Sequence, residues 1–395
     1  MADQSVFRIT KELSDLQKNS DLSLAVACRD IDVRNVKALI IGPHETPYEF
    51  GFFERGEEWS AAQGLESILL SIQSLMSSNP YENEPGFEDA NEPSDKKNQK
   101  DYVQKIRHET LRISVIQRLE EYLKIGPDGV VAPPIPKESY ELDMDTIEDE
   151  SSVPFEPFKD LCKRRFLWYY DSYLAAVQKG KEEVKDGQAF QRMPFEGSQN
   201  IMEGKFNYSE LERRLQSIKK ALDDETEAWA SEGLVAKAKD STVAVNLQRQ
   251  YEQIVESFKR SDVPHNLELV DGNPFVWVLT YFGKPMTNLD GGLFRTKLCF
   301  SPRFPEEQPR IKFETRLFHH RIASDGTPCY VAPANRREDV KTHIEAIIEA
   351  LEEEHPPYDP RTLVYPEAFK LYWGSPDDRR MYNRRLRRSV QQSME

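Results

Sequence analysis

Cysteine is scarce in this sequence: four residues in 395, at positions 28, 162, 299 and 329. So few thiols, so far apart, form neither the dense framework of a disulfide-stapled secreted domain nor the C-x-x-C spacing of a zinc or redox site, and they are read as reduced thiols. No metal or organic cofactor is implied. Long hydrophobic runs are also missing. No stretch approaches the roughly 18 continuous apolar residues of a membrane span, and the opening MADQSVFRITKEL lacks the apolar region of a signal peptide. A cytosolic or nuclear chain is expected. Excess positive charge is absent too, and a net charge of -15 argues against the general phosphate attraction that drives nucleic-acid binding. Hydrophobic residues make up only 38%, so linkers are expected within a chain long enough for two or three domains.

The opening residues carry Ile9, Leu13 and Leu16 at helical spacing. Strands are expected at about 23–29, 36–41 and 49–54, then helices at about 60–76 and 101–123. Pro127, Pro133, Pro134 and Pro136, followed by ELDMDTIEDESS, mark a stiff then acidic linker at 125–156. From 157 to 240 the sequence reads as an all-helical connector. In LCKRRFLWYYDSYLAAV, Phe166, Trp168, Tyr169 and Tyr173 are expected to bury against a neighbouring domain while Lys163, Arg164 and Arg165 stay wet. The competing reading, a basic and aromatic nucleic-acid surface extended by the Arg384 to Arg388 cluster, is opposed by the overall acidity. Ser209 is expected to cap a helix bearing Leu211, Leu215, Ile218 and Leu222. After a helix VNLQRQYEQIVESFKR, strands are expected at about 266–271, 275–282, 292–300 and 310–314, with Cys299 a half-buried strand residue. Ile344, Ile347, Ile348 and Leu351 then line one stripe of a later helix, and PDDRRMYNRRLRRSV forms the last one.

Residues Gly283 to Cys329 read GKPMTNLDGGLFRTKLCFSPRFPEEQPRIKFETRLFHHRIASDGTPC. In register and without insertion, this run resembles the central sheet and active-site loop of ubiquitin-conjugating enzymes. Gly283 and Gly292 keep the spacing of the family's turn. Phe300, Phe304, Pro305, Pro309, Ile311 and Phe313 fall in the family's F-P-x-x-Y-P-x-x-P-P-x-V-x-F block, and Cys329 lies ten residues after His319, as the catalytic cysteine does in the family. A second, earlier run is similar to the same family: GPHETPYEFGFF at 42–53, then Trp59-Ser60-Ala61-Ala62 and LESILLSIQSLMSSNP. With YENEPGFE and IRHETLRISVIQRLEEYL following, residues 1–124 resemble the Z-type members most.

The resemblance implies an α+β chain with two copies of the family's fold, an antiparallel meander with flanking helices. The copies would span 1–124 and 241–395, joined by the linker and the helical connector. The first copy would be truncated. Phe294, the counterpart of Phe53, lies thirty-five residues before its cysteine, whereas Trp59 follows Phe53 by only six. No fourth strand or nucleophile fits in that interval. A deleted exon, a misread exon junction and true degeneration all account for it.

For the second copy the resemblance implies Cys329 as the acceptor of a thioester from ubiquitin or a ubiquitin-like protein, His319 as support for the loop, and Arg321 at the family's oxyanion asparagine. A cysteine suits that chemistry because its thiolate is both a strong nucleophile and a good leaving group. The implied partners are that modifier, a ubiquitin-activating enzyme, which the opening helix meets in this family, and a ubiquitin ligase. His320 and Arg321 depart from the family's His-Pro-Asn, and Arg337 stands where its flap tryptophan is expected. Those departures favour the alternative, a catalytically inactive member acting as a binding scaffold.

Overall fold

The computed structural model describes residues 2–18, 22–29, 32–58, 64–132, 155–197, 201–239, 241–261 and 264–394. Most of the expected linker, 133–154, and the Trp59-Ser60-Ala61-Ala62 segment lie outside them. The architecture is α+β, with two antiparallel sheets in strand orders β1-β2-β3 and β4-β5-β6-β7.

Helix α1 (Ala2–Lys18) turns Ile9, Leu13 and Leu16 toward the first sheet, formed by β1 (Leu24–Arg29), β2 (Asp32–Ile41) and β3 (Phe52–Glu58). Strand alternation splits this sheet's side chains between two cores. Leu24, Val26, Val36, Ala38 and Ile40 pack with α1 and α2 (Leu65–Ser74), whereas Leu39, Ile41 and Phe52 face α5 (Lys159–Glu183). Strand β3 runs past Glu54, where the sequence suggested its end, because the long β2 continues to offer partners down to Asn35↔Glu58. This extends one strand and adds no fourth; among the described residues no strand pairs with its far edge.

Helix α3 (Pro93–Glu109) begins well before residue 101 because Glu92 and Asp95 form a capping box around Pro93. It continues through a π-helical stretch, Thr110–Gln117, into α4 (Arg118–Leu123), which ends on Lys124 in the left-handed region at φ 56°.

Helices α5 and α6 (Tyr208–Ala238) run antiparallel, with Gly180 against the Tyr208 ring at one end and Lys163 2.6 Å from Glu225 toward the other. The aromatics of α5 are buried as expected, but its basic triplet is not wet. Lys163 and Arg165 are 3% and 7% exposed. The first half of α5 is enclosed by the first sheet, α6 and C-terminal segments, and its solvated charged residues, Lys179, Glu182 and Glu183, lie in the second half. Lys163 therefore pairs with Glu225, Arg165 lies 4.0 Å from the Trp168 ring centre, and Arg164 bonds Asp160 at 2.9 Å. The cap of α6 is Asn207, whose side chain accepts from the Glu210 amide at 3.1 Å. Ser209 sits inside the helix, its amide donating to Asp186.

After α7 (Thr242–Arg260) come β4 (Asn266–Leu269), β5 (Val276–Phe282), β6 (Leu293–Cys299) and β7 (Arg310–Phe313), then α8 (Val340–Glu352), α9 (Pro366–Trp373) and α10 (Pro376–Gln392). Trp277, Leu279, Tyr281, Phe294 and Leu298 pack inward against these helices. On the sheet's other face, Val276 and Cys299 lie beneath Trp229 of α6. That cover is why Cys299 is buried and not half-buried.

The β2–β3 and β5–β6 connections are the same turn. Gly42 and Gly283 each donate to the carbonyl of the turn's closing glycine, Gly51 or Gly292, at 2.9 Å. Thr46 and Thr287 donate to the carbonyls of Pro43 and Lys284 at 2.8 and 2.7 Å. Glu45 and Met286 take positive φ, 61° and 65°. A side chain on Gly42 or Gly283 would sit 1.7 Å from the carbonyl oxygen of Tyr48 or Leu289, so neither position admits one.

Candidate functional site

The segment after β7 folds back on itself in two steps. The Phe313 amide donates to the Gly326 carbonyl at 2.8 Å, and the Cys329 amide donates to the Arg321 carbonyl at 2.7 Å. Gly326 is required at the tip: its φ is 94°, and a Cβ there would lie 2.3 Å from the Phe313 oxygen. This arrangement brings His319, Arg321 and Cys329 together, as their spacing suggested.

Cys329 is 0% exposed. Its side chain belongs to the largest apolar core, together with Leu39, Ile41 and Phe50 of the first sheet region and Cys162, Phe166 and Tyr169 of α5. Burial pushes the thiol pKa up, against the opposing pull of the Arg321 and Arg165 charges. The sulfur is therefore a protonated, enclosed thiol in this conformation, in contrast to the partly exposed thiolate that nucleophilic chemistry needs.

Arg321 places Nη1 4.0 Å from the Cys329 sulfur and Nη2 3.4 Å from Glu353, while its Nε has no hydrogen-bond partner. His319 is buried, and its Nδ1 accepts from the Arg321 amide at 3.1 Å. Burial, reinforced by the Arg321 charge, lowers its pKa to about 3, so the ring is a neutral loop brace. His320 stacks on Tyr372 with ring centres 3.8 Å apart and pairs with the Tyr382 hydroxyl at 3.0 Å. Its pKa is lowered as well, first by burial and then by neighbouring His319. Arg337 is exposed.

The loop is fastened to the connector by polar contacts that sequence reasoning did not single out. Ser324 donates to Asp171 of α5 through its amide at 3.0 Å and its hydroxyl at 2.8 Å. Lys219 of α6 reaches Asp325 at 3.0 Å. Tyr169 donates to the Arg361 carbonyl at 2.7 Å, and Tyr173 donates to the Phe50 carbonyl at 2.8 Å. One hint was visible: an aromatic-rich helix needs more than one apolar neighbour, although which neighbours cannot be read from α5 itself. Cys162 is buried with its pKa raised to about 12, Cys299 is buried with its pKa raised, and Cys28 sits in β1 facing the α1–α2 layer.

No helix of the described residues is long and apolar enough to cross a membrane, and among them no group of three His, Cys, Asp or Glu side chains is arranged to hold a metal. A family model described as "Ubiquitin-conjugating enzyme" matches residues 246–364. Over 264 aligned residues the chain is 28% identical to the human protein named "Ubiquitin-conjugating enzyme E2 Z", an alignment covering 55% of this chain and 64% of that protein. The Xenopus tropicalis protein of the same name is 30% identical, with 55% of this chain and 72% of the relative covered. Among solved structures, a ubiquitin-conjugating E2 domain from Toxoplasma gondii aligns to 38% of this chain and 96% of its own, at 19% identity and a TM-score of 0.31. The chain thus spans about two thirds of the length of the human relative.

Proposed function

Because the chain belongs to the ubiquitin-conjugating enzyme family, we propose that it acts in ubiquitin-type conjugation as a binding scaffold, with Cys329 serving as a core residue. One observation carries this reading: the sulfur has no exposed surface and is held by α5. A thioester to a modifier's C-terminus requires that chain end to reach the sulfur, and later an amine to reach the carbonyl beside it. Neither approach is open. The matching turns at Gly42 and Gly283 further support two copies of the family's fold, at 1–124 and 241–395, joined through 125–156 and the helical connector 157–240. The partners proposed are ubiquitin or a ubiquitin-like protein and a ligase, and the sites of action are the cytosol or nucleus.

The test is incubation with a ubiquitin-activating enzyme, ATP and ubiquitin, alongside a ubiquitin-binding titration. The scaffold reading expects binding without a thiol-sensitive adduct, and Cys329→Ala should bind as the parent does. A thiol-sensitive adduct that Cys329→Ser converts into a more stable ester would reject it. The second reading, a thioester acceptor opened by withdrawal of α5, is favoured by the Arg321 guanidinium 4.0 Å from the sulfur. A donor there lowers a thiol's pKa once the site is solvated and can stabilise the oxyanion of acyl transfer. It expects an adduct that appears in Asp171→Ala but not in the parent, and slower discharge in Arg321→Ala than in Arg321→Asn.

A further inference from the structure

A cavity of about 120 Å³ lies between the β1–β2 side of the first sheet, the N-terminal turns of α5 and the segment following Cys329. Its walls are largely leucine, isoleucine, valine and alanine, yet Arg164, Arg165 and Arg337 all line it. Arg165 is 7% exposed, and its Nε and Nη1 have no hydrogen-bond partner. The face of the guanidinium is used by Trp168, 4.0 Å away, but a ring face does not satisfy donors on the group's rim. Among the described residues no carboxylate pairs with Arg165 or Arg337. Arg164 has Asp160, but Asp160 also serves Arg310 at 2.8 Å, so one carboxylate is shared by two guanidinium groups. Burial, with the nearby Arg164 charge, disfavours the charged form of Arg165. An uncompensated buried cation with unmet donors is expensive, and such groups are ordinarily paired.

We propose that this cavity is a binding site for a compact oxyanion, the phosphate or carboxylate group of a small molecule, held by Arg165 from inside and Arg337 at the mouth. Guanidinium groups match both oxyanions with paired, charge-assisted hydrogen bonds. The volume far exceeds the roughly 10–15 Å³ that one water requires, and the apolar walls would accept a short organic body. Such a ligand would bridge α5 to the stretch after Cys329 and so hold α5 over the sulfur. The site does not depend on whether Cys329 is catalytic.

The test uses the full chain with inorganic phosphate in one arm and propionate in the other, each against chloride at equal ionic strength, read by thermal unfolding and isothermal titration. At saturating anion, at least one arm should raise Tm by about 3 °C or more over chloride. The arm that responds identifies the oxyanion. Arg165→Met, which keeps the stem's bulk, should abolish the response, and Arg337→Ala should weaken binding about tenfold. A response that persists undiminished in Arg165→Met, or no response in either arm, overturns the site. Should Arg165→Met fail to fold, Arg337→Ala decides alone, and an unchanged affinity there overturns the site equally.

Discussion

The β2–β3 and β5–β6 hairpins share one turn, down to the threonine hydroxyl bonds and the positive-φ residue, and then part company. After β6 the chain adds β7 and a loop that buries its cysteine; among the described residues the next element after β3 is α2, and no further strand joins the first sheet. The second region consequently closes its own core with α7, α8, α9 and α10. The first borrows. Its sheet face at Leu39, Ile41 and Phe52 is covered by α5, and the same core takes in Cys329, Val364 and Phe369 from the far end of the chain. A sheet with three strands among the described residues here acquires its partners from elsewhere in the molecule, and the loop that carries Cys329 becomes one of them.

Separating the two regions tests this most severely. Residues 241–395 alone should unfold cooperatively, whereas residues 1–132 alone should show no cooperative transition by circular dichroism; a sharp transition for 1–132 would break the comparison. Trp229→Ala strips the cover from Val276 and Cys299, and in urea it should cost about 3–5 kcal/mol. Gly42→Ala and Gly283→Ala should each cost about 3 kcal/mol, because both meet a carbonyl oxygen at 1.7 Å. Clearly unequal costs would mean that the two turns are not equivalent in stability.

In the second region the largest pH response should come from His319 and His320, buried side by side with ring centres 4.6 Å apart. His319, with a pKa lowered to about 3, and His320, also lowered, stay neutral when folded and take up protons near pH 6.5 when unfolded. Their contribution is therefore complete above pH 6.5 and is lost as pH falls toward the folded value. Each should remove about 1.4 kcal/mol per pH unit below 6.5, measured by denaturant titration between pH 6.5 and 5. His320→Gln should remove one such share, about 1.4 kcal/mol per pH unit, from the measured slope. Smallest is Asp171→Ala, which releases both Ser324 bonds. A loss of about 1–2 kcal/mol at the loop should speed alkylation of native Cys329 by about 5–30-fold. No change would mean that the aromatic contacts of α5 alone hold the loop.

Much of this architecture was legible because it is local. Leu211, Leu215, Ile218 and Leu222 mark α6 by spacing alone, and the alternation through Phe294, Thr296 and Leu298 marks β6. The run from Gly283 to Cys329 placed His319, Arg321 and the sulfur on one loop. What could not be read was what covers each element. Lys163 and Arg165 look like a wet face until Glu225 and Trp168 are in position, and Cys329 looks reactive until α5 is packed across it. Asn207 and Ser209 are both good caps by residue type, and only the backbone geometry chooses between them.

The core that unites Leu22 and Phe52 with Val364 and Phe369 has a consequence for synthesis on the ribosome. When Leu123 emerges, every residue of the first sheet is already outside, yet the side chains that complete its core have not been made. At about 5–20 residues per second, that core must wait on the order of ten to fifty seconds for its last members, Val364 and Phe369. Chaperones that shield nascent hydrophobic surface should therefore engage this chain over residues 22–58 and release it only as α9 appears.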